Sequence, residues 1–225
     1  MHGFTQWLGQ LRLDWIWNTL ILVASSLLCI TVHETCHGYA AYFLGDPTAK
    51  RMGRLSFNPL HHIDLVGLVM MALVRFGWAK PVPVDPRNFR HPKSGMALTA
   101  LAGPVSNVAL AFLALLLQPV VLWAGLVTGL AGAYLLLFLQ YTAILSAGLA
   151  VFNLFPIPPL DGSKVLFALL PDETYGAILR YERFGMLLLV VLLFLNVLDQ
   201  PLFAMRNWLL DLLQGIVLSL VNLFR

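Results

Sequence analysis

Of the chain's 225 residues, 59% are hydrophobic and only 11% charged, with a mean hydropathy of +0.80. Soluble domains carry about 25% charged residues, so the composition excludes a water-soluble fold and describes a membrane protein. Spans of about 20 apolar residues fill the length and leave no room for a soluble domain of ordinary size, and the net charge of +3 sits in loops between spans, where membrane orientation accounts for it without nucleic acid.

The opening MHGFTQWLGQLRLDW lacks a positive n-region, a short apolar stretch and a small-residue cleavage site, so no cleavable signal peptide is expected. The first apolar run extends from about Trp15 to Leu44 and stops at Gly45-Asp46-Pro47. A loop with Lys50, Arg51 and Arg54 follows, then a 12-residue apolar stretch from Ile63 to Val74, then a second basic loop with Arg75, Lys80, Arg87, Arg90 and Lys93. Both basic loops are expected in the cytoplasm, and the stretch between them is too short to cross. Residues 61–94 therefore read as a re-entrant or interfacial excursion whose later part, GWAKPVPVDPRNF, has the alternating prolines of an edge strand or extended loop.

Further spans are expected at about 95–122, 128–155 and 183–199, with a last apolar stretch at 202–224 that either crosses or lies in the interface, since it contains Arg206 and Asp211. The fold class is thus an all-α polytopic membrane protein of four to five transmembrane helices, with short β-strand character near 63–94. One membrane-embedded domain covers 1–225, its core at about 15–170 and C-terminal helices at about 183–224. Cys29 and Cys36 lie seven apart on one predicted helix and are not positioned to bond each other. Small residues gather at 37–41, 99–111 and 146–150, which marks these three spans as the ones that pack together.

Within the first span stands His33-Glu34-Thr35-Cys36-His37, two imidazoles and a carboxylate in a run apolar enough for lipid. Ionisable groups at the bilayer centre cost about 2.5–3.5 kcal/mol each on insertion scales, and mark function unless compensated. Residues four apart project from one helix face, so His33 and His37 can hold one ion, with Glu34 at the edge of that face. The alternative is a pair of neutral histidines bonded to neighbouring helices. A catalytic zinc needs a third protein ligand and an open position for water. Asp161 is the best-placed candidate: Pro156, Pro158 and Pro159 break the third long span in NLFPIPPLDG, and irregular backbone at membrane depth is tolerated where it lines a cavity. The alternative for Asp161, read alone, is a helix cap after an ordinary loop.

HETCH, the GPVSN of 103–107 and the NLFPIPPLDG of 153–162, in that order and each beside an apolar span, resemble the site-2 protease family of intramembrane zinc metalloproteases. The resemblance implies one catalytic Zn2+ held by His33, His37 and Asp161, Glu34 as general base, and Asn153 near the scissile carbonyl. It further implies single-span membrane-protein substrates cut within or near the bilayer, and substrate pairing with an exposed strand matched here by 77–84. The expected setting is a bacterial or archaeal cell membrane with the site toward the cytoplasm. The soluble peptide-binding or nucleotide-sensing domain of many relatives is not expected here, since the spans leave it no room. Two rival functions are a metal-ion transporter and an inactive relative that binds membrane segments. Cys36 reads as a packing residue, His61 and His62 as interfacial, and Asn107 as bonding a neighbouring helix.

Overall fold

The computed structural model describes residues 14–64, 66–67, 79–126, 129–171 and 184–223. Its first helix, α1 (Asp14–Phe43), is the apolar run that carries HETCH. It stops where expected, and the stop is a Schellman cap: the Gly45 N–H bonds the Tyr42 carbonyl at 3.1 Å, and the Asp46 N–H reaches Ala41 at 2.9 Å. Gly45 sits at φ 107°, a conformation open to glycine because it lacks a Cβ. A short helix α2 (Thr48–Arg51) follows, then single 3₁₀ turns at Pro59–His62 and Pro86–Asn88.

Helices α3 (Pro92–Trp123) and α4 (Gly129–Asn153) are the next two long elements, and α1 packs against both. The three meet through small side chains. Ala111 of α3 and Ala143, Ala147 and Ala150 of α4 are wholly buried, which lets backbones approach closely where lipid offers no hydrophobic drive for association. Polar contacts stitch the same seam: the Ser25 hydroxyl donates to the Phe138 carbonyl at 3.2 Å and the Cys29 thiol to Thr142 at 3.6 Å.

After α4 the chain runs irregularly through Leu154–Leu160 before α5 (Asp161–Ala168), as three prolines require. Helix α6 (Phe184–Phe194) packs Leu189 onto Leu160 of that irregular stretch. Last comes α7 (Asp199–Leu223), whose Leu213 and Val217 close the core of α3 and α4.

Among the described residues, four helices are long and apolar enough to cross a membrane: Trp15–Phe43, Pro92–Trp123, Gly129–Asn153 and Asp199–Leu223. Within the expected span at 183–199 the described residues form helix α6, which stops at Phe194, short of 199; the turn after it holds Asn196 in the left-handed conformation (φ 55°), with the Val197 N–H closing back on Leu192 at 3.1 Å. Asparagine tolerates that conformation, so the apolar run is cut by a turn that hydropathy alone does not register. The last apolar stretch is one continuous 25-residue helix despite Arg206 and Asp211.

No strand occurs among the described residues, so the β character expected near 63–94 finds no support. Residues 65 and 68–78, the middle of the expected excursion, lie outside the described set, and residues 79–85 have no regular pairing. That segment is nevertheless anchored. Buried Asp46 accepts the Asp85 N–H at 2.7 Å, the Asn88 amide at 2.7 Å and the Thr48 N–H at 3.0 Å. Burial pushes the Asp46 carboxyl up, but these hydrogen bonds outweigh it and hold the group below the ordinary carboxylate range.

Two outcomes follow from this packing. Ala147→Leu overfills the α3–α4 seam and should destabilise the detergent-solubilised protein by about 1–3 kcal/mol, read as a lowered thermal midpoint. Because the Asp46 carboxyl is depressed on folding, its contribution is complete above the unfolded aspartate value of about 3.9 and disappears as pH falls through the folded value. Thermal midpoints measured down the acid range should therefore drop more steeply for the parent than for Asp46→Asn, which starts lower at neutral pH.

Candidate metal centre

His33 and His37 lie one turn apart on α1, their rings edge to face with centroids 4.5 Å apart. Helix α3 sets how each ring is turned. The His37 Nδ1–H donates to the Thr99 carbonyl at 2.7 Å, and the His33 Nδ1–H donates to Asn107 Oδ1 at 3.0 Å. A carbonyl can only accept, which puts a proton on His37 Nδ1. The Asn107 amide is oriented by the same logic: its Nδ2 faces the Cys29 carbonyl at 3.4 Å and the Ser146 hydroxyl at 2.9 Å, leaving Oδ1 for His33. Ser146 in turn donates to the Asn107 carbonyl at 2.9 Å. In the neutral rings both Nε2 atoms are left as lone-pair nitrogens.

Those two nitrogens face each other at 3.0 Å. Asp161 Oδ2 lies 3.2 Å from His33 Nε2 and 3.0 Å from His37 Nε2, and all three residues are buried. Asp161 stands at the first residue of α5, delivered by the proline-broken stretch. Gly162 makes that delivery possible, since a Cβ there would strike the backbone of Leu154 and lie 2.7 Å from the Phe155 carbonyl oxygen. The other Asp161 oxygen has Lys164 Nζ at 3.6 Å.

Three lone-pair atoms gathered this closely repel one another unless a cation lies among them. Their 3.0–3.2 Å spacings approach the ~3.3 Å edge of a tetrahedron built on the usual zinc–ligand bond of about 2.0–2.1 Å, so the donor set fits zinc. His33, His37 and Asp161 together form a possible zinc site.

Comparison with known proteins agrees with this geometry. The family model described as Peptidase family M50 matches residues 21–198. The chain belongs to that family. Among curated relatives, YwhC of Bacillus subtilis, provisionally named a zinc metalloprotease, is 36% identical over 177 residues, covering 76% of this chain and 78% of its own length. Rip2 of Mycobacterium tuberculosis, with the same provisional name, is 32% identical over 204 residues, 86% of this chain and 74% of its own. The Mycolicibacterium smegmatis Rip2 is 30% identical over 210 residues, 88% and 76% respectively. No solved structure matches the chain. The site-2 protease resemblance carried by HETCH, GPVSN and NLFPIPPLDG is borne out, and the clustered His33, His37 and Asp161 fit the zinc that the relatives' names carry.

The site lies in a cleft of about 500 Å³ whose lining includes Glu34, Asn153, Asp161 and Lys164, faced by Pro81 and Val82. Glu34 Oε2 accepts the Val82 N–H at 2.9 Å. Asn153 donates one amide proton back to the Leu149 carbonyl at 3.0 Å. Cys36 is free and outside the ligand cluster. His61 is exposed as expected of an interfacial residue, but His62 is buried: its Nε2 bonds the Ser56 carbonyl at 2.8 Å behind α1.

Two contributors escape the sequence reading. Asn107 does bond neighbouring helices, but its carbonyl oxygen also fixes the His33 ring. Gly103 looks like one small residue among many, yet a Cβ there would fall on both imidazoles, 2.6 Å from His33 Cε1 and closer still to His37. The GPVSN motif was the available signal, because it places a glycine and an amide four residues apart on one face.

Asn107→Ala frees the His33 ring and should weaken zinc about 10–100-fold in competition with a chelator. Gly103→Ala, which forces both rings to move, should leave purified protein with well under one zinc per chain by elemental analysis. Full zinc retention by both variants would contradict this account of the rings.

Proposed function

We propose that the protein is an intramembrane zinc metalloprotease, one membrane-embedded catalytic domain that hydrolyses peptide bonds within or near the transmembrane segments of membrane proteins. The observation that carries the reading is the convergence of two Nε2 lone pairs and one carboxylate oxygen at 3.0–3.2 Å beside a half-buried glutamate, all in one cleft. In it His33, His37 and Asp161 are the protein ligands of Zn2+. Bound there, zinc would supply Lewis acidity, lowering the pKa of a coordinated water toward about 7 and polarising the scissile carbonyl.

The remaining work falls to side chains. Glu34 is the general base: with Oε2 held by the Val82 N–H, its second oxygen remains to take a proton from the attacking water and pass it to the leaving amine. An amide nitrogen has two protons, and Asn153 gives one to Leu149, which leaves the other to donate to the oxyanion. Lys164, at 3.6 Å from the outer oxygen of Asp161, favours the ionised carboxylate that a metal ligand must be.

Four helices of membrane-crossing length among the described residues support a substrate that approaches through lipid, and a single-span segment is the simplest such partner. Exposed Lys50 and Arg51 at the α1 end nearest His37 support a cytoplasmic opening, and relatives in bacteria and an archaeon support a cell-membrane setting. Pro81 and Pro83 cannot donate to an incoming strand, so pairing along 79–85 relies on carbonyls.

Glu34→Gln should keep parental zinc content and lose at least about 100-fold in cleavage of a reconstituted membrane substrate. Cleavage at the parental rate would remove Glu34 from the chemistry, and an inactive but transporting variant in zinc-flux vesicles would favour an ion-carrying role.

A further inference from the structure

Arg54 is 8% exposed, yet among the described residues its guanidinium meets no carboxylate; Nη2 donates to the Lys80 carbonyl at 2.8 Å and the Pro81 carbonyl at 3.2 Å. A buried cation is ordinarily paired with an acid, so commitment to backbone oxygens alone is unusual. The second contact explains what such an arrangement can do. The Pro81 C=O and the Val82 N–H are the two ends of one peptide unit, and that N–H is the one bonded to Glu34 Oε2 at 2.9 Å. A planar peptide held at its oxygen has its N–H direction fixed, and a cation on the carbonyl polarises the unit and strengthens the N–H as a donor.

We propose that Arg54 is a positioning residue for Glu34, acting through the Pro81–Val82 peptide, so that a charge on the loop after α1 sets the orientation of a carboxylate in the cleft. The sequence around the contact narrows the alternatives. Pro81 and Pro83 carry no N–H, so Val82 supplies the sole backbone donor between Lys80 and Val84, and a slip of one residue in either direction would present Glu34 with a proline. The far end of the segment is prevented from slipping by Asp46, which holds the Asp85 N–H and the Asn88 amide. Asp46 and Arg54 thus sit on one loop and grip one segment at two points, one through its N–H side and the other through its carbonyls.

This inference rests on Glu34 acting as the base, and its test separates the two. Arg54→Met, Arg54→Lys, Val82→Pro and the Arg54→Met/Val82→Pro double variant are purified, and kcat is expressed per bound zinc, which discounts any chain that misfolds or fails to load. Arg54→Met and Val82→Pro should each lower kcat per zinc by about tenfold or more, in the range seen when orienting partners are removed. Arg54→Lys should recover part of the loss. The double variant should be no worse than Val82→Pro alone, because both changes act through one N–H. Hydrogen exchange of the 79–85 peptide should quicken at Val82 in Arg54→Met, a readout independent of catalysis.

Parental kcat per zinc in either single variant, or losses that multiply in the double, would overturn the proposal while an inactive Glu34→Gln keeps the base assignment standing. Glu34→Gln that cleaves at the parental rate overturns both. Should Arg54→Met fail to bind zinc, Val82→Pro and Arg54→Lys decide the matter by the same criteria.

Discussion

Two imidazole protons determine what this site can be. Both leave their rings at Nδ1 and both go to α3, one to the Thr99 carbonyl and one to Asn107. With those positions taken, the opposite nitrogens present lone pairs toward Asp161, and the cleft becomes a place for a cation. The helix packing and the chemistry share this constraint. α3 can approach near enough to accept the protons because Gly103 has no side chain and the neighbouring contacts are alanines. Pro104 adds to it: lacking an N–H, it leaves the Ala100 carbonyl without its helical donor and loosens the ladder at the turn where Thr99 accepts from His37.

Much of this was legible in the sequence, for identifiable reasons. Spacing of four on a helix is a strict geometric statement, so His33 and His37 could be paired on paper. Prolines at 156, 158 and 159 forbid a helix, so a break before Asp161 could be placed within a residue or two. The three packing spans were marked by their small residues, and these are the helices that meet. Illegible were relations between segments far apart in the chain. The His33–Asn107 bond joins residues 74 apart and the Glu34–Val82 bond residues 48 apart, and neither leaves a periodic trace. The carboxyl end of the run at 183–199 was hard to read in a different way: the turn lies in the conformation of a single residue, Asn196, with Asp199 opening the next helix as the quieter signal.

The buried charges of the loop after α1 show a further economy. Asp46 and Arg54 are opposite in sign and eight residues apart, yet Asp46 accepts from the Asp85 N–H and the Asn88 amide while Arg54 donates through Nη2 to backbone carbonyls, instead of each meeting the other. A direct ion pair would have joined two points of the same loop and fixed nothing beyond it. Divided between donors and acceptors of a distant segment, the same two charges hold 80–88 against α1 with no sheet to support it. An extended strip with two prolines cannot be anchored by a ladder, so side chains take the place of one.

From this division it follows that the proposed metal ligands and the proposed base have separate supports. The ligands depend on α1, α3 and the turn into α5, through Asn107, Gly103 and Gly162. Glu34 depends on the loop after α1 and the strip it grips, through Arg54 and Val82. The two supports meet only at neighbouring positions of one helix, where His33 faces inward to its ligand partners and Glu34 faces the cleft wall.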